Sequence, residues 1–284
     1  MRILVTGSDG QLGKAFREVF ANENSFEVHF ATKAVFDITN FASMQSVVSA
    51  FNPHVVINCA AYTNVELAES ESDLANEVNG YAVGKLAEIC NSQGIYFVHF
   101  STDYVFDGAQ TKPYCEDALT APLNAYGKSK LLGEELALSV NPGSLIVRIS
   151  WLFSLHGKNF LNTMRKLFDQ GTEVRVVDDQ VASPTYALVL ASDIVSWMKR
   201  DATFGGGGLM HYSHNGITSW FGFAQEIKDC LASDVVLIAT TTNSFKSAVT
   251  RPKFSKLENA RFHEASGLQM ISWQEAVSLC LKNI

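Results

Sequence analysis

A chain of 284 residues, 47% apolar and 18% charged, is globular and long enough for one large domain or two of ordinary size. Its net charge of -7 argues against a broad nucleic-acid surface, while a few local cations would still hold an anionic small ligand. The five cysteines are odd in number, scattered and free of any C-x-x-C pair, which reads as reduced, mostly buried thiols of a cytoplasmic protein in preference to disulfides or a metal site. A strand pattern from Arg2 onward leaves no leader peptide, and no apolar run approaches the ~18 residues of a membrane span.

Arg2-Ile3-Leu4-Val5-Thr6 reads as a buried strand, followed by a helical pattern to about Ala21. Between them Gly7, Gly10 and Gly13 fall at G-x-x-G-x-x-G spacing, around Gln11 and Leu12. Residues without a side chain let the backbone turn tightly and approach a pyrophosphate, which the helix N-terminus attracts. Glu27 to Thr32 is the second strand. It ends in Ala31-Thr32-Lys33 and not in the carboxylate that holds the adenosine 2'-hydroxyl of NAD, so NADPH is favoured, with NADH as the alternative. Asp37 is a candidate for adenine contact, and Thr39 or Asn40 for capping the next helix. The strand from Pro53 runs into Ala60-Ala61-Tyr62-Thr63, where small residues let a flat cofactor lie on the backbone. Glu66, Glu69 and Glu71 beyond it read as helix-start charges in preference to a metal site.

Leu74 to Ser92 is helical and leads to a strand at Ile95 to Phe100, then Ser101-Thr102-Asp103-Tyr104. Tyr126 and Lys130, four apart, share one face of the helix that follows. A hydroxyl at a strand end beside a Tyr-Lys pair suits proton transfer at a sugar oxygen next to a hydride donor. After the strand Leu145 to Ile149 the strand-helix rhythm changes. Helices are expected at 160–170, 186–199 and 220–231, strands at 173–177, 209–212 and 235–239, and a loop at 251–257. Trp151 and Trp220 are candidates for lining a sugar site, and Trp197 and Trp273 for the core.

The fold class predicted is α/β: a Rossmann-type doubly wound parallel sheet over residues 1–150, and a smaller mixed α/β substrate-binding domain over 151–284, with a strand near 208–214 returning to the sheet.

The glycine loop with Tyr126-x-x-x-Lys130 resembles the extended short-chain dehydrogenase/reductases. Ser101-Thr102-Asp103-Tyr104-Val105-Phe106-Asp107-Gly108, Ala121 to Gly127, Asp179-Gln180 with Ser183-Pro184-Thr185, and Arg251-Pro252-x-x-Ser255-x-Leu257 are similar to the dTDP-4-dehydrorhamnose reductases within them. The resemblance implies NADPH-dependent reduction of the 4-keto group of a dTDP-6-deoxyhexose, in nucleotide-sugar supply for cell-surface polysaccharide. It implies Thr102, Tyr126 and Lys130 as catalytic, with Gly7, Gly10, Gln11, Leu12, Asp37, Ile38, Ala60, Ala61 and Tyr62 against the cofactor and Thr63, Tyr104, Trp151 and Arg251 facing the sugar nucleotide. Some members dimerise through a magnesium ion held by glutamates. Ala15 and Leu188 stand at two of those positions, so no bound magnesium is expected, and the chain is expected as a monomer or homodimer.

In the reaction so implied Thr102 holds the carbonyl oxygen, and a cation one turn away favours the Tyr126 phenolate. Moving a phenol from its ordinary pKa of ~10 down by ~3 units takes roughly 4 kcal/mol, a task assigned to Lys130. Tyr81 and Lys85 have the same spacing and read as a packing residue and a surface cation. Two other readings share the fold. One is a different nucleotide-sugar reductase, epimerase or dehydratase, the last disfavoured because Tyr104 replaces the acid needed to eliminate water. The other is a non-catalytic regulatory subunit of the methionine adenosyltransferase type, against which Thr102, Tyr126 and Lys130 all weigh.

Overall fold

The fold is that of a computed structural model describing residues 1–171, 173–244 and 249–282. The first half alternates strand and helix: β1 (Arg2–Thr6), α1 (Gln11–Phe20), β2 (Glu27–Ala31), α2 (Phe41–Phe51), β3 (Val55–Asn58), α3 (Ser72–Asn76), α4 (Ala82–Ser92), β4 (Tyr96–Thr102), α5 (Ala125–Val140) and β5 (Leu145–Ile149). The second half is more irregular: β6 (Leu152–Phe153), α6 (Phe160–Asp169), β7 (Val174–Val177), β8 (Val181–Ala182), β9 (Thr185–Tyr186), α7 (Ala187–Arg200), β10 (Gly208–Tyr212), β11 (Thr218–Ser219), α8 (Trp220–Cys230), β12 (Leu237–Thr240), α9 (Ala260–Ser266) and α10 (Trp273–Leu281). The two short strands β8 and β9 lie between β7 and α7.

Six strands form one parallel sheet in the order β10-β5-β4-β3-β1-β2. Its inner strands are buried on both faces, as β3 and β5 are along their whole length, because helices cover both sides. One face packs Phe16 and Phe20 of α1 with Leu190 and Ile194 of α7. The other packs Met44 and Val48 of α2, Leu86 of α4 and Ala137 of α5. Both α7 and β10 lie in the second half of the chain, so that half supplies part of the large sheet and its cover. A third core joins Leu161, Phe223, Trp273 and Val277 of α6, α8 and α10 beside three two-stranded sheets.

Chain order reverses at β1, with β2 on one side and β3 on the other. In open α/β sheets a ligand sits in that crevice, outside the carboxyl ends of the strands.

The helix expected over Leu74 to Ser92 is interrupted by a π turn at Glu77–Tyr81. The extra residue shifts the phase of the apolar stripe. Tyr81, expected in the packing, is therefore 54% exposed. Lys85 is a surface cation, paired with Glu88 at 2.8 Å. All five cysteines are free thiols, but Cys115 and Cys230 are exposed, so "mostly buried" is too strong. Among the described residues no helix is long and apolar enough to cross a membrane.

Candidate active site

A cleft of about 560 Å³ lies over the carboxyl ends of β1, β3, β4 and β5. The Rossmann side brings Gly10, Gln11, Leu12, Ala60, Ala61 and Thr63 to its wall, and the second half brings Trp151, Leu152, Asn159, Phe160 and Trp220. Gln11 ties the two sides together: its Nε2 donates to Leu152 O at 3.1 Å and its Oε1 accepts from Asn159 Nδ2 at 2.5 Å.

Gly7 adopts a left-handed φ of 60°, and a Cβ there would stand 2.6 Å from Ala60 N. The chain can turn into α1 only because that atom is absent. The N-terminus of α1 has no side-chain cap and no acidic residue in its first turn. Its unsatisfied N–H groups and positive dipole end suit a pyrophosphate, so the residues present fit a dinucleotide. Asp37 and Ile38 are placed less directly. The Asp37 carboxylate is engaged by Thr39 N and Oγ1 at 3.0 and 2.8 Å, and Ile38 is packed in the core. Asn40 caps α2, accepting from Ser43 N at 3.1 Å. Tyr62 turns its hydroxyl to Glu71 at 2.7 Å.

Thr102, Tyr126 and Lys130 come together at the base of the cleft. The Tyr126 hydroxyl is hydrogen-bonded to Thr102, whose Oγ1 also donates to Asp103 Oδ1 at 3.1 Å. Asp103 is buried and accepts from Ser255 Oγ at 2.5 Å, which pins the loop after β12 to the end of β4. The expectation that Lys130 draws Tyr126 toward the phenolate is not met. Burial pushes the Tyr126 phenol up to about 12, and the Lys130 amine points elsewhere, giving a hydrogen bond to Phe100 O at 2.7 Å. Burial in turn lowers Lys130 to about 8. A phenol that keeps its proton is what a reduction needs, since the nascent alkoxide must be protonated.

The glutamates after β3 are not merely helix-start charges. Glu66 pairs with Arg251 at 2.5 Å, and Glu69 Oε1 accepts from Ala125 N at 2.8 Å, at the start of α5. Arg251 also reaches Tyr104, whose ring meets that of Tyr126 edge-on with centroids 5.7 Å apart. Burial pushes the Tyr104 phenol well up, so Tyr104 holds its proton and offers no carboxylate-like base. Trp151 and Trp220 stack face to face, with centroids 3.5 Å apart and 8° between the planes. Trp151 holds a φ of 46°, a costly conformation for a bulky residue. Trp197 and Trp273 lie in the cores.

Sequence reasoning missed several residues. Asn79, in the π turn, accepts from Tyr62 N at 2.8 Å and donates to Ser129 Oγ at 3.0 Å, which locks the cofactor-side loop to α5. Ser101 Oγ is buried beside the cleft with no hydrogen-bond partner. His99 and Asn58 stand behind Lys130. A histidine inside the apolar run Phe97-Val98-His99-Phe100 was the one signal available for them.

A model of the RmlD substrate binding domain matches residues 1–284. The chain is 36% identical to a dTDP-4-dehydrorhamnose reductase of Burkholderia thailandensis, covering 100% of this chain and 99% of that one. It is also 36% identical to the spore coat polysaccharide biosynthesis protein SpsK of Bacillus subtilis, over 97% of this chain and 95% of that protein. A crystal structure of the Bacillus anthracis dTDP-4-dehydrorhamnose reductase in complex with NADP superposes with a TM-score of 0.94 at 36% identity, covering 100% of this chain and 99% of that one.

Proposed function

The chain belongs to the RmlD substrate binding domain family, and from that premise we propose that it reduces dTDP-4-dehydro-L-rhamnose to dTDP-L-rhamnose with NADPH. The observation that carries this reading is the meeting of Thr102, Tyr126 and Lys130 at the base of a cleft whose mouth fits a dinucleotide on one side and an aromatic shelf on the other. NADPH, when bound, supplies the hydride.

The rest is the work of this chain's residues. Gly10, Ala60 and Ala61 offer a flat backbone wall for the cofactor, and the open α1 N-terminus faces its phosphates. Thr102 orients the substrate carbonyl oxygen toward Tyr126. Tyr126 then delivers its hydroxyl proton to that oxygen as negative charge develops there. Lys130, at the floor of the same cleft, is placed to meet the nicotinamide ribose. The stacked Trp151 and Trp220, with Thr63 and Tyr104 in the same cleft and Arg251 against Tyr104, hold the sugar nucleotide, and the segment 151–284 serves mainly in this role. We place its action in the cytoplasm, a reading supported by its free thiols, and take it to act as a monomer or homodimer.

The test is oxidation of NADPH with dTDP-4-dehydro-L-rhamnose as substrate and NADH in parallel. Turnover with NADPH in preference to NADH is the expected result. No turnover, together with tight binding to a methionine adenosyltransferase, would replace the enzyme reading with the regulatory one.

A further inference from the structure

Lys130 is 2% exposed, and two neighbouring residues of β4 hold its amine. It donates to Phe100 O at 2.7 Å and stands 3.1 Å from His99 Nε2. Behind His99 is Asn58, at the end of β3, with Nδ2 3.0 Å from His99 Nδ1. Asn58 Oδ1 accepts from Thr6 Oγ1 at 2.7 Å and from Ala60 N at 3.1 Å. Thr6, Asn58 and His99 are each at most 1% exposed.

The polarity of this chain follows from its far end. A main-chain N–H can only donate, so Ala60 fixes the Asn58 amide with its oxygen outward and its NH2 toward His99. His99 Nδ1 must accept that NH2, which places the proton of the neutral ring on Nε2. A doubly protonated ring would set N–H against NH2. Burial first, and the Lys130 charge second, also keep His99 well below its ordinary pKa. The Nε2–H is thus directed at Lys130 Nζ. An ammonium has no lone pair to receive it, whereas a neutral amine has one.

We propose that His99 is a positioning residue for Lys130: oriented by Asn58, it donates Nε2–H to the lysine amine, and so sets where Lys130 stands and favours its uncharged form before the cofactor arrives. Other groups around the lysine fit this arrangement. Burial holds Lys130 at about 8, so the amine is within reach of ordinary assay conditions. Glu134, one turn along α5, pulls the other way but is itself clamped by Arg148 of β5 at 2.6 Å. Tyr126 is a neutral phenol and Asp103 is occupied by Ser255 and Thr102.

Two arms test this, and only the second rests on the reductase reading. In the first, cofactor-free protein labelled with 15N-histidine is examined by long-range 1H–15N correlation spectroscopy, with His99 assigned by its absence in His99→Gln. A neutral ring protonated on Nε2, unchanged between about pH 6 and 9, is the expected result. In the second, Asn58→Asp places a carboxylate against Nδ1, draws the ring proton there and leaves Nε2 to accept from an ammonium. The basic limb of kcat against pH then moves up by about one unit or more, a tenfold change in proton concentration. A purely structural role would lower kcat equally at every pH. A ring protonated on Nδ1 in the wild type, or an Asn58→Asp profile parallel to the wild-type one, overturns the proposal. If Asn58→Asp does not fold, the wild-type spectrum decides. If the wild type does not turn over, the spectrum still stands while the reductase reading falls.

Discussion

Asp103 gives a stability prediction whose size follows from its surroundings. Its carboxyl is fully enclosed, and burial raises it from 3.8 to about 7 despite hydrogen bonds from Ser255 and Thr102. A group whose folded pKa lies above its unfolded value contributes stability that is present below about 4 and lost as pH rises through about 7. At about 1.4 kcal/mol per unit, the full shift costs the protein ~4 kcal/mol at alkaline pH, of which ~3 kcal/mol falls between about pH 5 and 8. Asp103→Asn keeps the size of the side chain and removes the titration. Urea unfolding of both proteins at the two pH values isolates the effect, because every other titrating group, the half-buried Asp193 included, is common to both. The Asn variant is expected to gain ~3 kcal/mol relative to the wild type on going from the lower to the higher pH. A constant offset between the two proteins would refute the reasoning, since it would mean that Asp103 is as ionised in the folded chain as in the unfolded one.

The remaining predictions concern the site and its frame. Tyr126→Phe lowers kcat for NADPH-dependent reduction by roughly 10²–10⁴-fold, while Tyr81→Phe keeps most of it; the reverse pattern in steady-state assays would sink the assignment of the proton donor. Glu134→Gln leaves Arg148 without its buried countercharge, and urea unfolding is expected to register a loss of about 3–5 kcal/mol. Gly133→Ala sets a Cβ 2.0 Å from Asn79 O, so α5 must move from the π turn. Calorimetry should show a loss of roughly 1–3 kcal/mol, and unchanged unfolding would mean that the helices part without strain.

Some parts of the molecule are legible in the residues themselves and others are not. Gly7, Gly10 and Gly13 announce a strand-to-helix turn because the need for a missing side chain is local. Thr102, Tyr126 and Lys130 are readable because their spacing already places them on a strand end and a helical turn. The partners of those residues were not readable. Arg251 meets Glu66 across 185 positions and Ser255 meets Asp103 across 152, contacts that no periodicity encodes. Tyr81 was misread for a related reason: one extra residue in the π turn moves a side chain from the packed stripe to the surface without changing the composition of the segment. The direction of the Tyr126 shift was missed because spacing brings a lysine onto the right face but does not say where its amine points. His99 and the Phe100 carbonyl decide that.

The stacked indoles of Trp151 and Trp220 also make the protein its own optical reporter. Two indoles stacked 3.5 Å apart couple their transitions, and any rotation of one ring within its plane relative to the other gives an exciton couplet in circular dichroism that isolated indoles lack. Because both rings form part of the cleft wall, a ligand that settles against them alters that couplet. Occupancy of this side of the cleft is thus visible by light alone, with no label, no turnover and no cofactor present.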